Sequence, residues 1–269
     1  MGKEKVVLIT PYLSEADLHA RLTGSLASFL SPMTFPMFEH LDLILPEKAF
    51  NGAMQMALDE VLLPLVKMPT LRIYHWEAPC VTFGYFQKHS EVRSLHPAME
   101  VVRRWTGGGM VLHGEDLTFS LMVPELHPAA SMRPSLFYKL LHASLGEWLK
   151  KRLPKGIRMA CPEDVTNGPA CFAASALDDL LVEGRKILGG AQRRSHGALL
   201  YQGSLQCRDL GTFDPSNMGA ALSASETLRL LDEYRWNNND DNGYDNDLLK
   251  SAERIAEARY SCREWNERR

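Results

Sequence analysis

Apolar residues recur at helical spacing in a few stretches of the chain, and between them they alternate with polar residues or run on for short lengths. Residues 51–66 place Ala53, Met54, Ala57, Leu58, Val61, Leu62 and Leu65 on one stripe, with Asn51 positioned to cap the first turn. Asp59 and Glu60 fall largely on the opposite face and read as a solvated helix edge. Residues 134–152 repeat the pattern through Leu136, Phe137, Leu140, Leu141, Leu145, Trp148 and Leu149. Pro134 opens that stretch and Lys150, Lys151 and Arg152 crowd its last turn, where the helix dipole favours cations. Residues 248–259 predict a closing helix, and residues 16–30 a short amphipathic one whose role is unreadable.

The remaining periodicity belongs to strands. Residues 70–76 (TLRIYHW) alternate, with Leu71, Ile73 and His75 on one face and Arg72, Tyr74 and Trp76 on the other. Both faces carry bulk, so this strand is expected to be covered by a core on one side and by a ligand or partner on the other. Strands are also predicted at residues 81–86, 101–105, 110–113 and up to 123, at 198–207, and in a hairpin of 177–182 with 186–192 closed by Glu183-Gly184-Arg185. Helix, strands, helix, strands, helix is the order of an α+β fold with largely antiparallel sheets.

Composition narrows the function. A chain of 269 residues can bury a sizeable core, and a net charge of −3 argues against a protein that binds nucleic acid by neutralising phosphates. The longest apolar runs are far short of a membrane span, and no signal-peptide core follows Lys3–Lys5, so a cytoplasmic protein is expected. Five cysteines (Cys80, Cys161, Cys171, Cys207, Cys262), with no CxxC pair, read as reduced thiols rather than as a disulfide framework or a zinc site. Residues 236–247 (WNNNDDNGYDND) superficially suggest a calcium loop, but setting Gly243 at its sixth position puts Leu249 where a bidentate glutamate should stand. No metal site is expected.

Three features carry possible chemistry. Residues 101–113 (VVRRWTGGGMVLH) read as strand, glycine turn, strand, with Arg103 and Arg104 before the turn and His113 after it. Consecutive glycines suit a bulged turn, or a backbone that a ligand must approach without meeting a Cβ. Alternation sends the two arginines to opposite faces, so one of them faces a ligand and the other does not. Cys171 lies in the loop 167–174, and Lys186 follows a tight turn. A cation beside a cysteine favours the nucleophilic thiolate. Gly189, Gly190 and Ala191, small residues on a strand, leave room for an apolar chain to lie along the sheet.

These blocks carry a resemblance. RRWTGGGMVLHGEDLTFSL, EGRKILGGAQRR and YQGSL, preceded by NGAMQMALDEVLL and TLRIYHWEAPCVTFGYFQ, resemble in order and spacing the signature blocks of the lipoate-protein ligase A and octanoyltransferase family. The resemblance implies a biotinyl/lipoyl ligase-like catalytic domain with a central mixed sheet over residues 38–269, preceded by an extension at 1–37 of unknown role. It also implies an octanoyl or lipoyl chain bound beside the glycine turn and transferred to a specific lysine of a lipoyl domain, on a 2-oxoacid dehydrogenase E2 subunit or a glycine cleavage H protein. No nucleic acid and no membrane is implied as a partner.

Within the family two mechanisms compete. In the transferase reading the donor is octanoyl-acyl carrier protein, Cys171 of Ala170-Cys171-Phe172 is the nucleophile, Lys186 stabilises thiolate and oxyanion, and no cofactor is needed. In the ligase reading ATP and magnesium activate free lipoate, and Lys186 contacts the adenylate while Cys171 stands by. Arg103, Arg104, Gly107, Gly108, Gly109 and His113 would shape the acyl site in both. TGGGM and Asp178-Asp179 are closer to the ligase pattern. The end of the chain soon after the catalytic domain is closer to the transferase. Gln202 stands where family members commonly carry a histidine, and that departure keeps a non-catalytic lipoyl-domain or acyl-chain binding protein as a third reading.

Overall fold

The strands form two sheets in a computed structural model that describes residues 36–268 apart from 46–47, 154–155, 167, 169, 207–214 and 235–246. The helix expected at 16–30, Cys207 and almost all of the 236–247 loop lie outside the described residues. Residues 36–269 form one compact unit. The strands are β1 (Phe38–Ile44), β2 (Thr70–Tyr74), β3 (Cys80–Phe83), β4 (Glu100–Arg103), β5 (Val111–His113), β6 (Asp116–Val123), β7 (Ile157–Met159), β8 (Leu180–Val182), β9 (Arg185–Ser195), β10 (Ala198–Gln206) and β11 (Ser223–Arg229). Eight of them make one sheet in the order β11-β1-β2-β6-β10-β9-β8-β7, and β4-β3-β5 make a smaller one. Only β11-β1 and β1-β2 run parallel in the large sheet; every other pairing in it is antiparallel. The expected α+β fold with a mixed, largely antiparallel sheet is what the chain adopts.

Helices cover both faces of the large sheet. On one face Leu71, Ile73, Phe119, Leu121, Leu188 and Tyr201 pack with Phe137, Leu141, Leu145 and Leu149 of the long helix Pro134–Lys150. On the other, helix α1 (Gly52–Leu62) and helix α2 (Leu248–Ile255) pack over Ile44, Met122 and Leu200. The N-terminus of α1 is held twice. Asn51 Oδ1 accepts from Met54 N at 2.9 Å, and the Glu100 carboxylate accepts from Gly52 N at 2.8 Å, a negative charge where the helix dipole is positive.

Two expectations give way here. Asp59 is not on a solvated edge: it is fully buried, with Oδ1 2.6 Å from Arg72 NH1 and Oδ2 accepting from Ser120 Oγ at 2.5 Å and Gln202 Nε2 at 2.7 Å. Ten of the eleven residues of α1 are buried because the helix is covered on its polar side too, and a buried carboxylate persists there only because Arg72 pairs with it. Glu60 is likewise engaged, accepting from Tyr260 OH at 2.7 Å and pairing with Arg259. Nor does the glycine turn close a hairpin. β4 runs parallel and β5 antiparallel to β3, one on each side of it, so residues 104–110 cross over the end of β3. Arg104 N donates to Phe83 O at 2.8 Å and Tyr85 N to Thr106 O at 2.9 Å, which seats the turn on the chain leaving β3.

Candidate acyl-transfer site

The glycine turn, the Cys171 loop and the β8–β9 hairpin meet at one cleft of about 400 Å3, including space open to solvent. Its walls include Tyr74 and Trp76 from the end of β2, Thr82, Val111 and His113 from the small sheet, Arg104 and Gly108 of the turn, and Cys171. Gly189 to Ala191 of β9, Gln202 to Ser204 of β10, Thr118 of β6 and Met56 of α1 complete the lining.

Cys171 reaches the cleft because its loop joins the start of β5: Cys171 N donates to Met110 O at 2.8 Å, and Ala170 bridges Met110 in parallel. Lys186 comes from the other side. Its ammonium is 2.7 Å from Asp179 Oδ2, 3.2 Å from Cys171 Sγ and 3.4 Å from Ala174 O, one partner for each of its three N–H groups. The Lys186 side chain is 5% exposed and that of Asp179 fully buried. Tyr138 OH and Ala176 N donate to the same carboxylate, at 2.5 Å and 2.6 Å, so Asp179 is fixed from three directions. Gly189 makes room for this lysine. A Cβ there would stand 2.5 Å from Lys186 Nζ and closer still to Cε, so no other residue leaves the lysine its present path.

Arg104 secures the glycine turn from beneath. NH2 donates to the carbonyls of Gly107 and Gly109, both at 2.8 Å, and NH1 to Thr82 Oγ1 at 2.9 Å. Burial pushes this guanidinium down to about 10, which still leaves it charged at neutral pH. Gly108 takes φ +85°, a conformation side-chain-bearing residues rarely adopt, and its carbonyl lies so close to Gly84 that a Cβ on Gly84 would overlap it.

His113 lies 2.9 Å from Asp116 Oδ2 through Nδ1 and 2.7 Å from Thr82 Oγ1 through Nε2, with its ring stacked on Trp76 at 4.2 Å. Burial lowers its pKa, against the pull of Asp116, so the ring is neutral: Nδ1–H donates to Asp116 and Nε2 accepts from Thr82. Burial would raise the Asp116 carboxyl, but the hydrogen bonds from His113, Ser204 and Thr118 hold it below the usual carboxylate range. A continuous polar chain therefore runs from Asp116 through His113 and Thr82 to Arg104 and the turn.

Of the residues singled out in the sequence, the structure brings Cys171, Lys186, Arg104, Gly108, His113, Gly189, Gly190 and Ala191 together, with Gly107 and Gly109 held through their carbonyls. Arg103 is the exception. Its guanidinium points away from the cleft and donates to five carbonyls, those of Tyr85, Gln87, Trp265, Asn266 and Arg268. Arg103 therefore ties the C-terminal segment to the small sheet and does not bind in the cleft, as the alternation of the two arginines allows. Among the other cysteines, Cys80 is buried, with its thiol pushed well up by burial, and Cys161 is exposed. Sequence reasoning missed Asp179 as the partner of Lys186, and the buried network of Asp59, Arg72, Gln55 and Gln202 that meets the turn at Thr106, whose Oγ1 donates to Gln202 Oε1 at 2.7 Å. The signal available was the bulky second face of TLRIYHW, where Arg72, Tyr74 and Trp76 stand in a row. Among the described residues no cluster of three or more His, Cys, Asp or Glu side chains could hold a metal, and no helix is long and apolar enough to cross a membrane.

Several known proteins share this pattern. Residues 51–229 match the lipoyl protein ligase A/B catalytic domain. The octanoyltransferase LipM of Clostridioides difficile strain 630 is 34% identical over 176 residues, 60% of this chain and 64% of that protein. That of Bacillus cereus is 38% identical over 172 residues, 58% of this chain and 61% of its own length. The match thus spans less than two thirds of these relatives. Among solved structures, a lipoate-protein ligase A bound with ATP superposes with a TM-score of 0.59 at 18% identity, covering 86% of this chain and 99% of that one. A structure described as that of a bipartite lipoate protein ligase and its E2 lipoyl domain from Thermoplasma acidophilum gives 0.54 at 19% identity, covering 86% and 96%. At such identities these likenesses concern the fold.

Proposed function

Since the chain belongs to the lipoyl protein ligase A/B catalytic domain family, we propose that it is an octanoyltransferase that modifies lipoyl domains through a thioester on Cys171. The observation that carries this reading is the thiol of Cys171 in the wall of the cleft, with the buried ammonium of Lys186 3.2 Å from its sulfur. A thiol in the wall of the cleft is placed to accept an acyl group, with a cation at hand for the oxyanion that forms.

The steps balance without a cofactor. The Cys171 thiolate attacks the carbonyl carbon of an octanoyl thioester on acyl carrier protein. Its new C–S bond replaces the carrier's, and the carrier leaves as a thiolate that takes up a proton. One thioester replaces another, so the acyl group stays activated. Lys186 donates to the sulfur before attack and to the oxyanion as charge develops there. The acceptor lysine of a lipoyl domain, on a 2-oxoacid dehydrogenase E2 subunit or a glycine cleavage H protein, then attacks as the neutral amine. The amide C–N bond forms, the C–S bond to Cys171 breaks, and the amine loses its proton. Arg104, by holding the carbonyls of Gly107 and Gly109, keeps the turn against the acyl chain, while Gly189 to Ala191 give the chain a floor with no side chain larger than a methyl group. We place the reaction in the cytoplasm, where Cys171 remains a free thiol.

An ATP-dependent lipoate ligase would use the same cleft and leave Cys171 idle. The experiment that separates them supplies an apo lipoyl domain with octanoyl-carrier thioester alone, or with lipoate, ATP and magnesium, and weighs the acceptor by mass spectrometry. Octanoylation without ATP that disappears in Cys171→Ala supports the transferase. Modification only with ATP, and undiminished in Cys171→Ala, overturns it, and no modification in either arm leaves a binding protein.

A further inference from the structure

Once Cys171 carries an acyl group, two amines compete for it: the acceptor lysine that arrives from outside, and Lys186, which is already in place. Lys186 Nζ is 3.2 Å from Cys171 Sγ, and the carbonyl carbon of the thioester is one bond from that sulfur. An amine held within about 3–3.5 Å of an acyl carbon reacts as though present at roughly 10⁵ M or more. No acceptor supplied from solution matches that. Transfer to Lys186 would also end the cycle, because the amide formed is far less reactive than the thioester.

The partners of Nζ make the hazard specific. Asp179 Oδ2 at 2.7 Å and Ala174 O at 3.4 Å accept two of its N–H groups, and the third faces the sulfur. Those oxygens would keep their protons if Nζ lost one, so the lone pair left behind would point at the acyl group. Burial favours that loss from a lysine, and the charged Arg104 guanidinium, close enough to Cys171 to interact with it, opposes a second cation. On the long helix, His142 is neutral and bonded to Asp178 O and to the Tyr201 phenol, and the Asp178 carboxyl interacts with Lys139. Two groups favour the cation. The Phe172 ring lies 5.6 Å from Nζ, and Asp179 supplies a full negative charge, oriented by Tyr138 OH and Ala176 N. Acylation removes the Cys171 thiolate, which leaves Asp179 as the anion in contact with the ammonium among the described residues.

We propose, on the acyl-transfer reading above, that Asp179 is a positioning residue that protects the acyl-enzyme: its carboxylate keeps Lys186 an ammonium and so blocks transfer of the acyl group from Cys171 to Lys186. Without that guard the side reaction is complete in itself. Nζ gives one proton to water, its lone pair attacks the carbonyl carbon, the C–N bond forms and the C–S bond breaks. The leaving thiolate takes the second proton. With the guard, Lys186 donates to the oxyanion and has no lone pair with which to attack.

The test charges the full chain with the octanoyl thioester of pantetheine, removes the donor, and holds the acyl-protein without acceptor at steps from neutral pH to about pH 9. Octanoyl that survives hydroxylamine is amide, and peptide mapping locates it. The wild type is expected to keep a labile octanoyl on Cys171 near neutral pH, with amide on Lys186 forming about tenfold faster for each unit of pH above that. Asp179→Asn keeps the shape of the side chain and loses its charge, so it should form the Lys186 amide at least tenfold faster than the wild type at neutral pH. A charged Asp179→Asn protein that forms this amide no faster than the wild type overturns the proposal while leaving acyl transfer intact. A wild type that forms no Lys186 amide at any pH tested, or forms it at a rate that does not rise with pH, overturns it too, even where the variant fails to fold or to charge. No thioester on wild-type Cys171 removes the transferase reading and the proposal with it.

Discussion

Two neighbouring glycines of β9 should fail in different ways when given a methyl group, and the difference tests how the site is built. In Gly189→Ala the new Cβ would stand 2.5 Å from Lys186 Nζ and nearer to Cε, so the lysine must retreat by about 1 Å to restore ordinary contact. Its ammonium has a charged partner at 2.7 Å, Asp179, and a sulfur at 3.2 Å, Cys171. The buried ion pair is the stronger of the two, and breaking it would strand a carboxylate at a cost of some 3–5 kcal/mol, so the contact with Cys171 is the one that opens. A misplacement of that size is worth about 10²-fold in rate. Because only the end of a flexible side chain has to move, stability should change by less than about 1 kcal/mol. In Gly190→Ala the methyl would meet the ring of Tyr201 and, at 2.6 Å, the carbonyl oxygen of Gln202. Tyr201 is fully buried and bonded to His142, and a strand carbonyl cannot step aside, so overpacking of about 1–3 kcal/mol or more is expected. Thermal unfolding and single-turnover formation of the acyl adduct, read by quenched intact mass, separate the two. Gly189→Ala should keep its Tm within a few degrees and lose the rate; Gly190→Ala should lose Tm first. A Gly189→Ala protein that acylates at the wild-type rate, or whose Tm falls as far as that of Gly190→Ala, refutes the reasoning.

Other substitutions probe the supports. Arg103→Ala removes five carbonyl contacts from a buried guanidinium and should cost roughly 3 kcal/mol or more; limited proteolysis should then cut residues 263–268, which Arg104→Ala should leave protected. Thr82→Val removes the hydroxyl that joins His113 to Arg104, and the octanoyl KM should rise several-fold in steady-state assays while Cys171 still acylates. Asp59→Asn weakens the buried pair with Arg72 and should lower stability by about 3 kcal/mol in urea denaturation. Burial pushes the His142 imidazole down to about 3 from its ordinary 6.5, so the unfolded chain binds a proton over that window and the folded chain does not. Stability is then complete above pH 6.5 and falls as pH drops toward 3, and Tm plotted against pH should flatten in that range in His142→Asn.

Much of this was readable from pattern alone, and the exceptions share a cause. Alternation in TLRIYHW located a strand with two busy faces, and β2 is indeed central, with Leu71 and Ile73 in one core and Arg72 and Tyr74 toward α1 and the cleft. The long helix was legible because Pro134 and a regular apolar stripe mark it. β11, Ser223–Arg229, was not: it is an edge strand with five of its seven residues exposed, so its sequence carries no burial signal and only pairing with β1 makes it a strand. Asp59 was misread for the opposite reason. Helical spacing tells which residues share a face, not whether a second layer covers the polar one, and the arginine that makes burial tolerable lies 13 residues away on another element. The pairing of Lys186 with Asp179 was hidden as well, because it is made across the β8–β9 hairpin, beside an irregularity in register at Leu180/Leu181 that no periodicity announces.

The central claim is that Cys171 carries the acyl group. Incubating the full chain with octanoyl-carrier thioester, without ATP or acceptor, then quenching in acid and mapping the mass increase by peptide, tests it most directly. The account predicts one octanoyl group on the peptide containing Cys171, released by hydroxylamine and discharged when an apo lipoyl domain is added. An unmodified protein that still octanoylates the lipoyl domain, or an adduct on Cys171 that the acceptor fails to discharge, would contradict it.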